Sequence, residues 1–269
     1  MPTNWGEYMK SCPVTFVSLL FVLILSEGRA LSQSEKEATT AQVLQGVPRR
    51  SVKRPTVLHF EAELGGKTLG FSIASLIPAG KDGTGGSHYR VESALVLPNG
   101  QRIDGEATAR LNDAFAPTEV QFRREVTLPD GKRQSTVDRA EVRDNEISLT
   151  REVDTDPPTN RSVPRPESPF VLAVEFLVQR VDLKRFPAFA VREFDFQEGN
   201  IIVQHFKVGS ELKGSRWLVS REDDGSIGYA FEIDAKGEVV SWAEPPLPVV
   251  FKRCSRERSE ELRKSMQGR

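Results

Sequence analysis

Three observations predict a mainly β, antiparallel fold. Alternation of apolar and polar side chains recurs from Thr56 to Phe251, Gly-, Asn- or Asp-containing turn signals interrupt it, and one stretch alone, about residues 169–181, shows helical spacing. Turns spaced at roughly 10 to 15 residues leave no room for crossover helices, and one polar face per strand is the mark of an antiparallel sheet wet on its outside. The expected architecture is about a dozen strands in an incomplete barrel or strongly curved sheet around one buried helix.

The chain opens with an apolar run, residues 14–25 (VTFVSLLFVLIL), after Lys10 and before Ser26-Glu27-Gly28-Arg29-Ala30. As a helix this run rises about 18 Å, too short for a bilayer that needs roughly 20 residues. A secretory signal peptide over residues 1–30, cut after Ala30, fits the charged start, the apolar middle and the small residues at the end. The expected location is therefore outside the cytoplasm, in the periplasm or the extracellular space, with membrane contact only through this segment. Residues 31–55 are polar, carry the cluster Arg49-Arg50-Ser51-Val52-Lys53-Arg54, and read as a disordered linker.

A single β domain is expected over residues 56–252. Leu58, Phe60, Ala62 and Leu64 alternate with His59, Glu61 and Glu63, and Gly65-Gly66 is a two-residue hairpin signal. Leu69, Phe71, Ile73 and Ile77 continue the apolar face on the return strand. Tyr89, Val91, Leu95 and Leu97 form the next strand; after Pro98-Asn99-Gly100 come Ile103, Ala107, Ala109 and Leu111. A third hairpin turns at Pro129-Asp130-Gly131 between Val120, Phe122, Val126, Leu128 and a polar strand ending near Val142. Ile147, Leu149 and Val153 follow. Residues 154–167, with four prolines, read as a long connection. Their Asn160-Arg161-Ser162 would be a glycosylation acceptor only in a eukaryotic secretory route.

Ser168-Pro169 then resembles an N-cap and first turn, and Phe170, Ala173, Val174, Leu177 and Val181 recur at helical spacing. Val171, Leu172, Phe176 and Val178 fill the other side, so this helix must be covered on more than one face. Strands resume at residues 189–196 and 201–208, then around Trp217 and Val219, from Ile227 to Ile233, at Val239-Val240, and at an edge, 248–251. Residues 253–269 are a charged tail, at most a short exposed helix.

Composition excludes some partners. With 38 acidic and 37 basic side chains the net charge is -1, and the first 30 residues carry two of each sign. A nearly neutral field gives no reason to expect nucleic acid or an anionic membrane as partner. Of the two cysteines, Cys12 lies in the signal segment, so Cys254 is left without an internal partner, a usage that fits the bacterial envelope better than the animal exterior. Basic neighbours Lys252, Arg253 and Arg256 would favour its thiolate if it were exposed.

No catalytic machinery, metal site or cofactor motif stands out. His59, Glu61 and Glu63 share a strand face at about 7 Å spacing, but alternation assigns them to solvent and no Cys or further His completes a metal set. His88 and His205 sit beside aromatic residues and read as surface or satisfied imidazoles. The loop at residues 80–86 (GKDGTGG) lacks a Gly-Lys-Ser/Thr ending and a following helix, so it is not a phosphate loop. Glu193 and Asp195 could serve a glycosidase, which needs two acids facing across a gap. The small residues Gly105, Ala107 and Ala109 share one strand face and leave room for the helix or for a guest.

The order of elements, with a buried Ser-Pro-Phe-Val-Leu-Ala-Val-Glu-Phe-Leu segment in mid-chain and strands ending near Trp217, Ile227-Gly228-Tyr229 and Gly237-Glu238-Val239, resembles an uncharacterised family of exported bacterial β-barrel-like proteins. More distantly it is similar to periplasmic lipoprotein carriers, whose half-barrels shelter acyl chains beneath several helices where this chain has one. The expected function is that of a non-catalytic envelope protein with a binding or scaffolding role. An apolar ligand would lie under the helix against Phe170, Val174 and Leu177, or another envelope protein would be the partner; the alternative is a cell-wall polymer hydrolase using paired carboxylates.

Overall fold

The computed structural model describes residues 37–46, 54–80, 85–196, 198–212, 214–222, 225–243 and 249–267. The apolar run and the expected cleavage point after Ala30 lie outside the described residues.

Fourteen strands form one antiparallel sheet. The first eight are β1 (Thr56–Leu64), β2 (Lys67–Pro78), β3 (Ser87–Val96), β4 (Arg102–Leu111), β5 (Pro117–Thr127), β6 (Arg133–Val142), β7 (Glu146–Val153) and β8 (Thr159–Pro164). After a long connection come β9 (Ala188–Asp195), β10 (Asn200–Leu212), β11 (Ser215–Arg221), β12 (Ile227–Asp234), β13 (Val239–Ala243) and β14 (Val250–Arg253). Each group is a meander. The two are sewn together where β1 pairs with β14, Phe60 opposite Arg253 and Ala62 opposite Phe251. The spatial order therefore runs from β8 back to β1, across to β14 and down to β9, leaving β8 and β9 as the two edge strands. An incomplete barrel is the outcome: a sheet of this width curls under its own twist without the edges exchanging hydrogen bonds.

The β9–β10 turn instead reaches across to the first meander. Phe196, in the β9–β10 turn, lies 5.8 Å from the Phe122 ring of β5, and the position of a Cβ on Gly199 would be 3.1 Å from the Arg161 guanidinium of β8. The outer edge of β9 is also covered: Ala38 and Val171 bridge it in parallel, and the Thr40 hydroxyl donates to the Ala190 carbonyl while accepting the Arg192 amide. Thr40 begins α1 (Thr40–Gly46), a helix with Val43 fully buried, where a disordered linker was expected. Covering an edge in this way removes a template for strand addition.

The segment between the edges supplies the plug. Its regular helix, α2, is only Val174–Val178, much shorter than the expected 169–181. Residues 170–172 run beside β9, with the Val171 amide donating to the Arg192 carbonyl, and the chain enters the helix through Ala173 in the left-handed region (φ 62°). The Ser168 cap is displaced because pairing with β9 claims the backbone a longer helix would need. Burial is as expected: Phe170, Val171, Phe176, Leu177 and Val178 are all at most 2 % exposed.

Three further expectations are corrected. The stretch read as a connection, residues 154–167, contains β8, whose exposed polar side chains carry no alternation to reveal it. In β2 the apolar face changes phase. Ala62 pairs with Gly70 but Glu63 pairs with Thr68, so Leu69 is an extra bulged residue, and Ser72, Ala74 and Leu76 turn inward while Phe71 and Ile73 turn outward. The charged tail forms α3 (Arg256–Gln267), which lies on the outer face of β1–β3 and buries Leu262 and Met266 against Phe71 and Ala94.

Candidate functional site

Two surfaces concentrate chemistry: the concave wall of β3–β7 with its plug, and the outer seat of α3. On the concave wall the register stacks side chains in rows. The deepest row is Tyr89, Ala109, Val120, Ala140 and Leu149, all buried beneath the plug. About 7 Å nearer the open end comes Val91, Ala107, Phe122, Asp138 and Arg151. Then follow Ser93, Gly105, Arg124 and Thr136, and last Leu95, Ile103 and Val126. Apart from buried Asp138, these three outer rows are half-buried, with Arg124 exposed, so the wall opens to solvent away from the plug.

Polar groups in the interior are mostly tied. The Tyr89 hydroxyl donates to Glu175 Oε1 at 2.9 Å, fastening α2 to β3. Burial raises the Glu175 carboxyl above the usual carboxylate range, only partly offset by hydrogen bonds, and burial beside Glu175 raises the Tyr89 phenol. Asp138, 6 % exposed, accepts the Arg151 Nε at 2.6 Å. Buried Gln204 accepts from the Ser220 hydroxyl (2.7 Å) and donates to Glu222 (3.2 Å). None of these pairs was foreseen, because the partners in each lie on different strands or on the plug.

Phe170, Val174 and Leu177, expected to touch a ligand, are at most 4 % exposed; Phe170 packs its ring 5.6 Å from Phe194. They are core side chains between plug and sheet. The series His59, Glu61, Glu63 does share one outward face, but that face seats α3. His59 Nδ1 lies 2.7 Å from Ser259 Oγ, Glu61 takes a two-point contact from Arg258 (2.8 and 3.0 Å), and Glu63 pairs with Lys252. The described residues contain no cluster of three or more potential metal ligands. His88 is exposed, and His205 Nδ1 lies 2.9 Å from Glu37. Asp195 accepts the Glu198 amide within its turn. Residues 81–84 of the glycine-rich loop lie outside the described residues. Cys254 is half-buried, and burial followed by the Glu61 charge pushes its thiol up, the reverse of activation.

Beside the last turn of α3, over β2–β5, lies a cleft of about 280 Å³ whose floor includes Phe71 and Ala94. Its charges are largely cross-linked: Arg263 to Glu92 at 2.8 Å, Arg90 to Glu106 at 2.9 Å, Arg102 to Asp104 at 2.7 Å. Arg102 also donates to the Met266 carbonyl, capping the end of α3.

The fold has a solved counterpart. The chain resembles a β-barrel-like protein. That crystal structure is of a domain of unknown function, DUF1849, from Brucella abortus, matching with a TM-score of 0.51 at 10 % identity over 75 % of this chain and 96 % of that one. At this identity the likeness concerns the fold alone, a β-barrel-like architecture. No family model matches the chain, and no curated protein sequence does.

Proposed function

We propose that this chain is an exported, non-catalytic envelope protein that binds an apolar ligand on the concave face of its sheet. The observation that carries the reading is the burial gradient on β3–β5: the Tyr89 row is sealed by the plug, whereas Val91, Ala107, Phe122 and, further out, Leu95, Ile103 and Val126 remain half-buried. Concave apolar surface left in water is a cost that a ligand relieves. The site therefore moves from beneath the plug to the wall beyond it. Export rests on residues 14–30, and the fold likeness is compatible with a role that requires no catalysis.

Mass spectrometry of an organic extract from the purified mature protein, made in several hosts, tests the binding reading. A recurrent lipid or other apolar molecule supports it; clean extracts from every host, together with no uptake of an apolar fluorescent probe, refute it. Amino-terminal sequencing of protein from a cell-envelope fraction tests export, with Leu31 expected first. The hydrolase alternative has less support, because Asp195 is engaged in its turn rather than facing Glu193 across a gap.

A further inference from the structure

Among the rows of the concave wall, the third differs in kind. Ser93 on β3, Gly105 on β4, Arg124 on β5 and Thr136 on β6 are register partners in succession, so they sit at one level of the sheet. Apolar side chains flank them on both sides: Val91, Ala107 and Phe122 toward the plug, Leu95, Ile103 and Val126 toward the open end. The three polar side chains carry N–H or O–H donors, and none makes a hydrogen bond or ion pair with another described residue. The inward carboxylate nearest in register, Asp138, is already held by Arg151. Gly105 keeps the row open, since a Cβ there would stand 2.9 Å from Ser93 Oγ.

We infer that this row is an anion-binding girdle, and that the ligand of the concave wall is a single-chain anionic amphiphile of the fatty-acid class. Its carboxylate would accept from the Arg124 guanidinium and from the Ser93 and Thr136 hydroxyls, and its chain would lie along the apolar rows. A guanidinium offers two parallel donors to a carboxylate, and it is worth more beside apolar walls than in open water. An uncharged lipid would make no charge-assisted contact with Arg124, so charge distinguishes the class. The inference rests on the apolar-ligand reading above and adds the head group to it.

A matched pair of probes tests it: an undecanoic acid carrying a dansyl reporter, and its methyl ester, titrated by fluorescence into the delipidated mature protein. The acid is expected to bind at least about ten-fold more tightly than the ester, a gap that one charge-assisted contact supports. Arg124→Ala should abolish that gap by weakening the acid alone, while Arg124→Lys should restore part of it. Arg123→Ala is the control. Arg123 lies on the same strand, faces the opposite side, and is also without an ion pair among the described residues, so its loss should leave both probes unchanged. Equal binding of acid and ester to the parent protein, or equal effects of the two alanine variants, overturns the girdle while leaving an apolar site standing. Failure of both probes to bind overturns the girdle together with the reading beneath it. Both arginines are exposed, so neither variant threatens folding.

Discussion

The Tyr89 hydroxyl of β3 donates to Glu175 of α2 across 2.9 Å, the polar fastening between the plug and the wall it seals. Tyr89→Phe removes the donor and leaves a half-buried carboxyl oxygen without this partner, with an expected loss of about 1 kcal/mol in chemical unfolding. The pH dependence has a definite sign. Burial raises the folded-state affinity of Glu175 for its proton, so its contribution to stability is complete below the ordinary carboxylate range and declines as pH rises through its elevated value. Glu175→Gln keeps an acceptor for Tyr89 and removes the titration. Its unfolding midpoint should match the parent near pH 4 and exceed it at pH 8.

At the outer seat, His59 Nδ1 and Ser259 Oγ hold α3 against β1. Burial, and then Arg256, lower the affinity of His59 for a proton. The imidazole thus favours the docked helix while neutral, and that support is lost as pH falls from the ordinary histidine value through the lowered one. Amide exchange in α3 should accelerate between pH 7.5 and pH 5 relative to the core strands, and His59→Asn should remove most of the difference. An unchanged ratio of α3 exchange to core-strand exchange at the two pH values in the parent protein would contradict this account.

Leu262 and Met266 are the apolar anchors of the same helix, packed on Phe71 and Ala94 apart from the main core. Leu262→Ala should cost about 2–3 kcal/mol of local stability. Exchange would be confined to α3, with little shift in the main unfolding transition, because the second cluster and the main core are separate.

Asp138→Ala leaves the Arg151 guanidinium facing a half-apolar wall without its counter-charge. Removing one member of a buried pair typically costs about 3–5 kcal/mol, and partial exposure of Arg151 places the expectation at the lower end, about 3 kcal/mol, read from denaturant unfolding. The double variant Asp138→Ala, Arg151→Met should recover part of that loss, since neither charge is then stranded.

Gly70, the residue after the β2 bulge, meets its neighbour so closely that a Cβ would lie 1.8 Å from the Ala94 carbonyl oxygen. Gly70→Ala forces β2 and β3 apart and should destabilise by at least about 3 kcal/mol in thermal unfolding. Gly131→Ala, in a turn where a Cβ has nothing within 4 Å, should cost only the strain of a left-handed backbone, about 1–2 kcal/mol.

Period-two alternation by itself determined the antiparallel sheet and most of its hairpins, and a run that is apolar on nearly every side determined the burial of the segment around Leu177, because each of these depends on neighbours within one strand or one turn. Glycine pairs such as Gly65-Gly66 place a turn locally, since both residues adopt positive φ. The tertiary structure decided what depends on distant partners. A one-residue bulge at Leu69 reversed the face of Phe71, pairing with β9 shortened the plug helix, and the outward Glu61 acquired a partner 197 residues away in a helix whose sequence is nearly all polar. The candidate site belongs to this second kind. Ser93, Arg124 and Thr136 lie on three strands and become one row only when register aligns them, and no local pattern in a strand records the register of the strands beside it.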